Sequence, residues 1–117
     1  MSAITRIGTG KRMSQAVVHN GVAYLAGIVA GEAEGKSVLE QTKDVLAQID
    51  AILKAAGSDK TKILKANIWL TDIGKWAEMN EAWDAWVVPG HTPARATVES
   101  KLAGPEYDVE IMVEAAL

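Results

Sequence analysis

Apolar residues recur along this chain with two periods, and the change from one period to the other marks its elements. Val38, Thr42, Val45, Leu46, Ile49, Ile52, Leu53 and Ala56 fall at helical spacing on one side, with Glu40, Lys43, Asp44, Gln48 and Lys54 on the other. Ser37 with Glu40 reads as a capping box, and Gly57 as a left-handed stop. The pattern predicts a helix over Val38–Ala56 that packs on a sheet by a single stripe. A shorter helix over Lys75–Val87, capped by Asp72, follows from Trp76, Met79, Trp83 and Trp86 on one side, and Val88-Pro89-Gly90 breaks it.

Elsewhere the period is two. Ala3–Ile7 is a short candidate strand. Met13–His19 and Val22–Ile28 flank Asn20-Gly21, the pair that best tolerates the positive φ angles of a type I′ hairpin turn. In the return strand Tyr24, Ala26 and Ile28 point one way, and Ala23, Leu25 and Gly27 the other. Gly27 weakens the strand, which suggests close approach of another backbone or a ligand. Lys62–Thr71 sets Leu64, Ala66, Ile68 and Leu70 on an apolar face against Ile63, Lys65, Asn67 and Trp69. Thr92–Glu99 reads as a buried strand opened by Pro93, and Tyr107–Ala115 follows the loop around Ala103-Gly104-Pro105. The order β, β-hairpin, α, β, α, β, β predicts one α+β domain over residues 1–117. Its mixed sheet would carry both helices on one face, as a two-layer sandwich. Several strands are apolar on both sides, so the uncovered face is expected to meet another subunit.

Composition narrows the function more than the fold. There is no cysteine, which excludes disulfides, thiolate metal sites and a cysteine nucleophile. The formal net charge is −3 and the lysines are scattered among acids, so nucleic acid is not the expected partner. No apolar run reaches a membrane span and no signal peptide is evident, which points to the cytoplasm. His19 and His91 lack metal-like spacing, no serine sits in a nucleophile elbow, and Gly8-Thr9-Gly10-Lys11 is too short for a phosphate loop. The tryptophans of the second helix read as core and interface filler rather than a base-stacking platform.

The charged residues of the late strands carry the candidate chemistry. An arginine in a buried strand must be paired or must await an anion, and its planar fork suits a carboxylate or phosphate. Arg95 is such a residue, and Glu110 lies in a strand that could run beside it. The pair can be a cross-strand ion pair, or an anion anchor beside a general base. Asn80, on the second helix, can be a local hydrogen bonder or a support for the site.

Pro93-Ala94-Arg95, Val98-Glu99 and Val109-Glu110-Ile111 resemble the signature of the RidA/YjgF family of imine deaminases. Ser14-Gln15-Ala16-Val17, Leu25-Ala26-Gly27, Ala55-Ala56-Gly57, Trp69-Leu70-Thr71-Asp72 and Met79-Asn80-Glu81 continue the resemblance in one register from about Gly10 onward. The resemblance implies a trimer of chorismate-mutase-like fold with sites in the clefts between subunits. It implies that Arg95 binds the substrate carboxylate and that Glu110 activates the hydrolytic water. The backbone near Gly27 and Thr97 would bind substrate or water, Asn80 would support the site or the trimer contact, and Met13 would stand at the pocket mouth. Glu99 resembles a recurrent family acid, catalytic or structural. The substrate would be a small 2-imino acid and the product a 2-keto acid, without cofactor or metal.

Three positions depart from the family pattern. Met13 stands where an aromatic is usual, Thr97 where a cysteine is common, and Ala26 where a serine is common. They leave anchor and base intact but alter the pocket, as in a sister subgroup. The alternative reading is a non-catalytic trimer that binds small carboxylates or proteins. Some family members also carry ribonuclease or translation-inhibitor roles.

Overall fold

The computed structural model describes residues 3–117. Its strands are β1 (Thr5–Ile7), β2 (Ala16–His19), β3 (Val22–Leu25), β4 (Ile63–Leu70), β5 (Ala94–Glu99) and β6 (Val109–Ala116). Its helices are α1 (Val38–Ala56) and α2 (Trp76–Trp86). The strands form one sheet in the order β1-β2-β3-β6-β4-β5, in which β4 and β5 pair in parallel and all other neighbours are antiparallel.

Two crossovers explain why the helices share a face. Strands β3 and β4 both run antiparallel to β6, so they run parallel to each other, and α1 carries the chain from β3 past β6 to β4. Helix α2 then carries it one strand further the same way, to β5. Crossovers of one hand that step in one direction put their helices on one side of the sheet. The core lies between: Val45, Leu46, Ile49 and Leu53 of α1 and Met79 of α2 close over Ala66, Ile68, Leu70, Val109, Ile111 and Val113. The opposite face of the sheet has no helical layer, and Tyr24 and Val98 are about half exposed there.

The Asn20-Gly21 hairpin forms as its sequence requires, with φ of 50° and 78° at the two turn residues. Helix α1 has the predicted bounds. The Ser37 hydroxyl accepts the Glu40 amide at 3.1 Å, and Gly57 ends the helix at φ 88°. The back-bond expected of Glu40 to the Ser37 amide is not among the hydrogen bonds of the described residues, and a different amide of the first turn, that of Leu39, donates to Glu78 of α2 at 3.2 Å. Asp72 caps a 3-10 turn over Ile73–Lys75 that leads into α2, through the Gly74 amide at 2.8 Å.

Several expectations are corrected. A register irregularity between Ile63 and Lys65 turns Ile63 into the core and leaves Leu64 outside, so the apolar face of β4 begins at Ala66. Regular pairing of β3 stops at Leu25, and Ile28 is buried through a separate bridge to Ile111, which breaks the expected alternation. Trp76 is half exposed, so the packed side of α2 starts at Met79. Strand β5 is the sheet edge and largely exposed, not a buried strand.

Two polar devices tie the connections down. Gln41, fully buried, donates from Nε2 to the Lys36 and Glu106 carbonyls and to Asp108, while its Oε1 accepts the Asp108 amide at 2.9 Å. Asp108 in turn accepts the Thr71 hydroxyl at 2.9 Å. Asp44 gathers the amides of Gly31, Glu32 and Ala33 on a single carboxylate oxygen. Burial pushes its pKa up, but the amides of Ala33 and Glu32, with Gln48 and Gly31, outweigh that and hold the carboxyl below its ordinary 3.8.

Replacing Gln41 by Ala strands the Asp108 amide and leaves a cavity, and is expected to cost about 2–3 kcal/mol in urea unfolding. An unchanged midpoint would mean that water replaces the amide at no cost. For Asp44, a folded pKa below the unfolded one means that its stabilisation is complete above about pH 3.8 and is lost as pH falls through the lowered folded value. Asp44→Asn should therefore destabilise the chain at pH 7 and flatten the acid limb of stability against pH. An acid limb identical to wild type would assign that limb to other carboxylates.

Candidate functional site

The alternation of the strands decides where the charged residues go. Arg95 pairs with Ala66 of β4, a residue fully buried under the helices. Its side chain therefore lies on the helical side of the sheet, and its contacts agree. Nη1 donates to the Asn80 side-chain oxygen at 2.7 Å, and the guanidinium lies 5.2 Å from the ring centre of Trp83. Both partners belong to α2. The cation–π contact contributes about 0.5–2 kcal/mol and, with Asn80, fixes the direction of the fork. Thr97 follows on the same side, opposite Ile68, and its buried hydroxyl oxygen has no hydrogen-bond partner among the described residues. Leaving a buried hydroxyl without a partner costs about 1–3 kcal/mol.

Glu110 lies on the other face. It pairs with Trp69, between the core positions Val109 and Ile111, so its carboxylate stands on the side without helices. It lines a cavity of about 210 Å³ with Trp69 and the segment Ser100–Ala103. Gly27 packs directly on it: a Cβ built there would come within 3.0 Å of the Glu110 carboxyl carbon and closer still to one oxygen. Gly27 was expected to meet another backbone or a ligand, and what approaches it is the Glu110 side chain. Reciprocal bonds between Ile28 and Ile111, at 2.8 and 3.0 Å, lock the two segments together beside it.

Arg95 and Glu110 are therefore not neighbours. Strand β4 separates β5 from β6, and the two side chains leave the sheet on opposite faces. The expected side-by-side arrangement is corrected to two groups within one chain: Arg95 with Asn80 and Thr97, and Glu110 with Gly27. Met13 belongs to neither, being half exposed on the loop before β2, at a cavity it shares with Arg6, Lys11 and Arg12. Glu99 accepts the Ile73 amide at 3.0 Å, a structural role. Sequence reasoning missed Trp69 and Lys101 as neighbours of Glu110, because only the pairing of β4 with β6 and the path of the loop after β5 bring them there. It also missed the Trp83 face beneath Arg95. The helical spacing of Arg95's two α2 partners, Asn80 and Trp83, is a signal that could have found it.

No helix among the described residues is long and apolar enough to cross a membrane, and no group of three His, Cys, Asp or Glu side chains among them could hold a metal ion.

The described residues thus form an α+β sheet covered on one face, with an arginine at one edge and a glutamate packed on a glycine on the bare face. Comparison with known proteins gives the family. The model for endoribonuclease L-PSP matches residues 3–117. RutC family protein YoaB of Escherichia coli is 47% identical over 97% of this chain and 98% of its own length. A RutC family protein of Haemophilus ducreyi is 43% identical over 97% of both. The crystal structure of a YjgF family protein from Neisseria meningitidis superimposes with a TM-score of 0.94 at 52% identity, covering 97% of this chain and 94% of that one. Reactive Intermediate Deaminase A of Arabidopsis thaliana is 32% identical over 89% of this chain and 58% of its own length. The chain belongs to the RidA/YjgF family.

Because a Cβ at position 27 meets the far end of a flexible side chain, Gly27→Ala should be accommodated by rotating Glu110 away. The expected outcome is a change in thermal midpoint of a few degrees at most, with loss of whatever Glu110 does. Unfolding of the variant would instead make Gly27 a backbone requirement.

Proposed function

We propose that the chain is a cofactor-free 2-imino/enamine acid deaminase, one RidA-like domain acting as a homotrimer. The observation that carries this reading is the division between faces: an arginine pinned by Asn80 and Trp83 at the sheet edge, and a carboxylate cradled on the bare face. Neither group makes a site by itself. A second copy laid on the bare face can bring its own edge arginine to Glu110. The apolar Tyr24 and Val98 on that face support such a contact. The name of the Arabidopsis relative supports the chemistry.

In this mechanism Arg95 takes the substrate carboxylate bidentately and so fixes the imine carbon. Glu110 of the neighbouring copy accepts a proton from a water molecule as its oxygen bonds to that carbon, and the C=N electron pair moves to nitrogen. Glu110 then returns the proton to nitrogen. In the resulting carbinolamine Glu110 takes the hydroxyl proton and passes it to nitrogen as the C–N bond breaks, so ammonia leaves and the carbonyl of the 2-keto acid forms. The Thr97 hydroxyl and nearby backbone are placed to bind substrate or water. The substrate arrives already electrophilic, so positioning and proton transfer suffice.

The test is 2-keto acid release from imines generated in situ by an amino-acid oxidase. Arg95→Ala and Glu110→Gln should each lower kcat/KM by about a hundredfold or more. Trimers assembled from both variants together should recover activity, because one cleft of the mixture can hold an intact Arg95 and an intact Glu110. Two inactive variants with no recovery on mixing would place the site within one copy. No acceleration by the wild type would remove the deaminase reading and leave a carboxylate-binding trimer.

A further inference from the structure

The cations of this chain are not evenly distributed. Arg6, Lys11 and Arg12 all precede the first acid, Glu32, whereas all fifteen acids stand from there onward. The fold gathers the three around one cavity of about 330 Å³, which Thr9, Met13 and Ser14 also line and no carboxylate does. The loop that carries them is held in place by its own bonds. The Gly10 amide donates to the Met13 carbonyl at 2.7 Å, the Thr9 and Ser14 hydroxyls lie 2.9 Å apart, and the Gln15 amide donates to Ile7 at 2.9 Å. Three like charges on one small surface repel one another, and an anion seated among them relieves that repulsion. Two of the three are guanidinium forks, the group best matched to carboxylate or phosphate.

The cavity adjoins the Glu110 group. The β2–β3 ladder continues through the Ala26 amide to the Gln15 carbonyl at 2.9 Å. The next residues along the two segments are Ser14, which lines the basic cavity, and Gly27, which packs on Glu110. We propose that Arg6, Lys11 and Arg12 form a receptor for a second anionic group on the substrate, so that the site selects 2-imino acids whose side chain ends in a carboxylate or phosphate. This rests on the deaminase reading of the same site. Arg95 holds the carboxylate next to the reacting carbon, and the basic loop holds the distal charge.

The experiment compares imines made in situ from glutamate with those made from leucine, using wild type and the triple variant Arg6→Gln, Lys11→Gln, Arg12→Gln. For the glutamate imine, kcat/KM should fall about tenfold or more, mostly through KM, with the leucine imine within about twofold. Equal effects on both substrates, or none on either, overturn the proposal. Calorimetric binding of 2-oxoglutarate and 2-oxobutyrate separates this proposal from the activity. If the wild type turns over no imine, the deaminase reading fails alone. The receptor still stands if 2-oxoglutarate binds about tenfold more tightly than 2-oxobutyrate and the triple variant abolishes the difference. It falls if the two keto acids bind alike. Inorganic phosphate that competes with 2-oxoglutarate but not with 2-oxobutyrate supports the shared pocket. Phosphate that binds without affecting either makes the cluster a separate phosphate site and overturns the substrate assignment.

Discussion

The antiparallel ladder between β4 and β6 is the constraint from which the rest of the structure follows. Seven registered pairs, from Ile63↔Ala115 to Leu70↔Val109, place two long strands at the centre of the sheet. Every second residue of β6, and of β4 from Ala66 onward, is buried under the helices. A slip of one residue would turn either Ile68 and Leu70 or Val109 and Ile111 outward against the core, so the register is held by the buried faces of both strands. The same alternation leaves Trp69, Glu110 and Met112 on the other side with no choice of face. The carboxylate is thus positioned by the hydrophobic effect acting on its neighbours, not by partners of its own.

A second layer of control comes from buried polar contacts. Gln41 lies at the start of α1 but bonds to Glu106 and Asp108, which close the segment leading into β6. That segment begins at Ser100–Ala103, the wall of the Glu110 cavity. An amide in the helix start therefore holds one end of the loop that shapes the site. The bonds reach this far because a buried amide must satisfy all its donors and acceptors, and beyond the nearby Lys36 carbonyl it is Glu106 and Asp108 that do so.

Local periodicity made much of this legible in the sequence. The α1 stripe, the Asn-Gly hairpin and the core face of β4 from Ala66 onward all arise from short-range pattern, and each formed. What failed depended on pairing between distant strands. The irregularity at Ile63/Lys65 exchanges Ile63 for Leu64 through a change of register that neither residue announces. Gln41 reads as a polar helix residue, yet it is fully buried because the loop around Glu106 comes to lie over it. For the site, Gly27 was a readable signal, since a missing side chain in a strand implies a neighbour. The face to which Arg95 points was not, since alternation gives the two faces of a strand without saying which one the helices will cover.

The opposite faces of Arg95 and Glu110 matter for the proposed chemistry. An arginine and a glutamate side by side in one chain would pair, and each would neutralise what the other needs to offer. The guanidinium would have its carboxylate already, and the carboxylate would be a weaker base. Placing them on opposite faces of one sheet prevents the pairing while the chain is alone. Asn80 and Trp83 can hold Arg95 in position because neither carries a negative charge that would satisfy it. Gly27 can hold Glu110 in position because it offers only space and backbone. Under the proposed assembly the two charges first face each other across a cleft, where a substrate carboxylate and a water molecule come between them. In the proposed reaction, neutral supports on both sides would keep Arg95 an anchor and Glu110 a base until that moment.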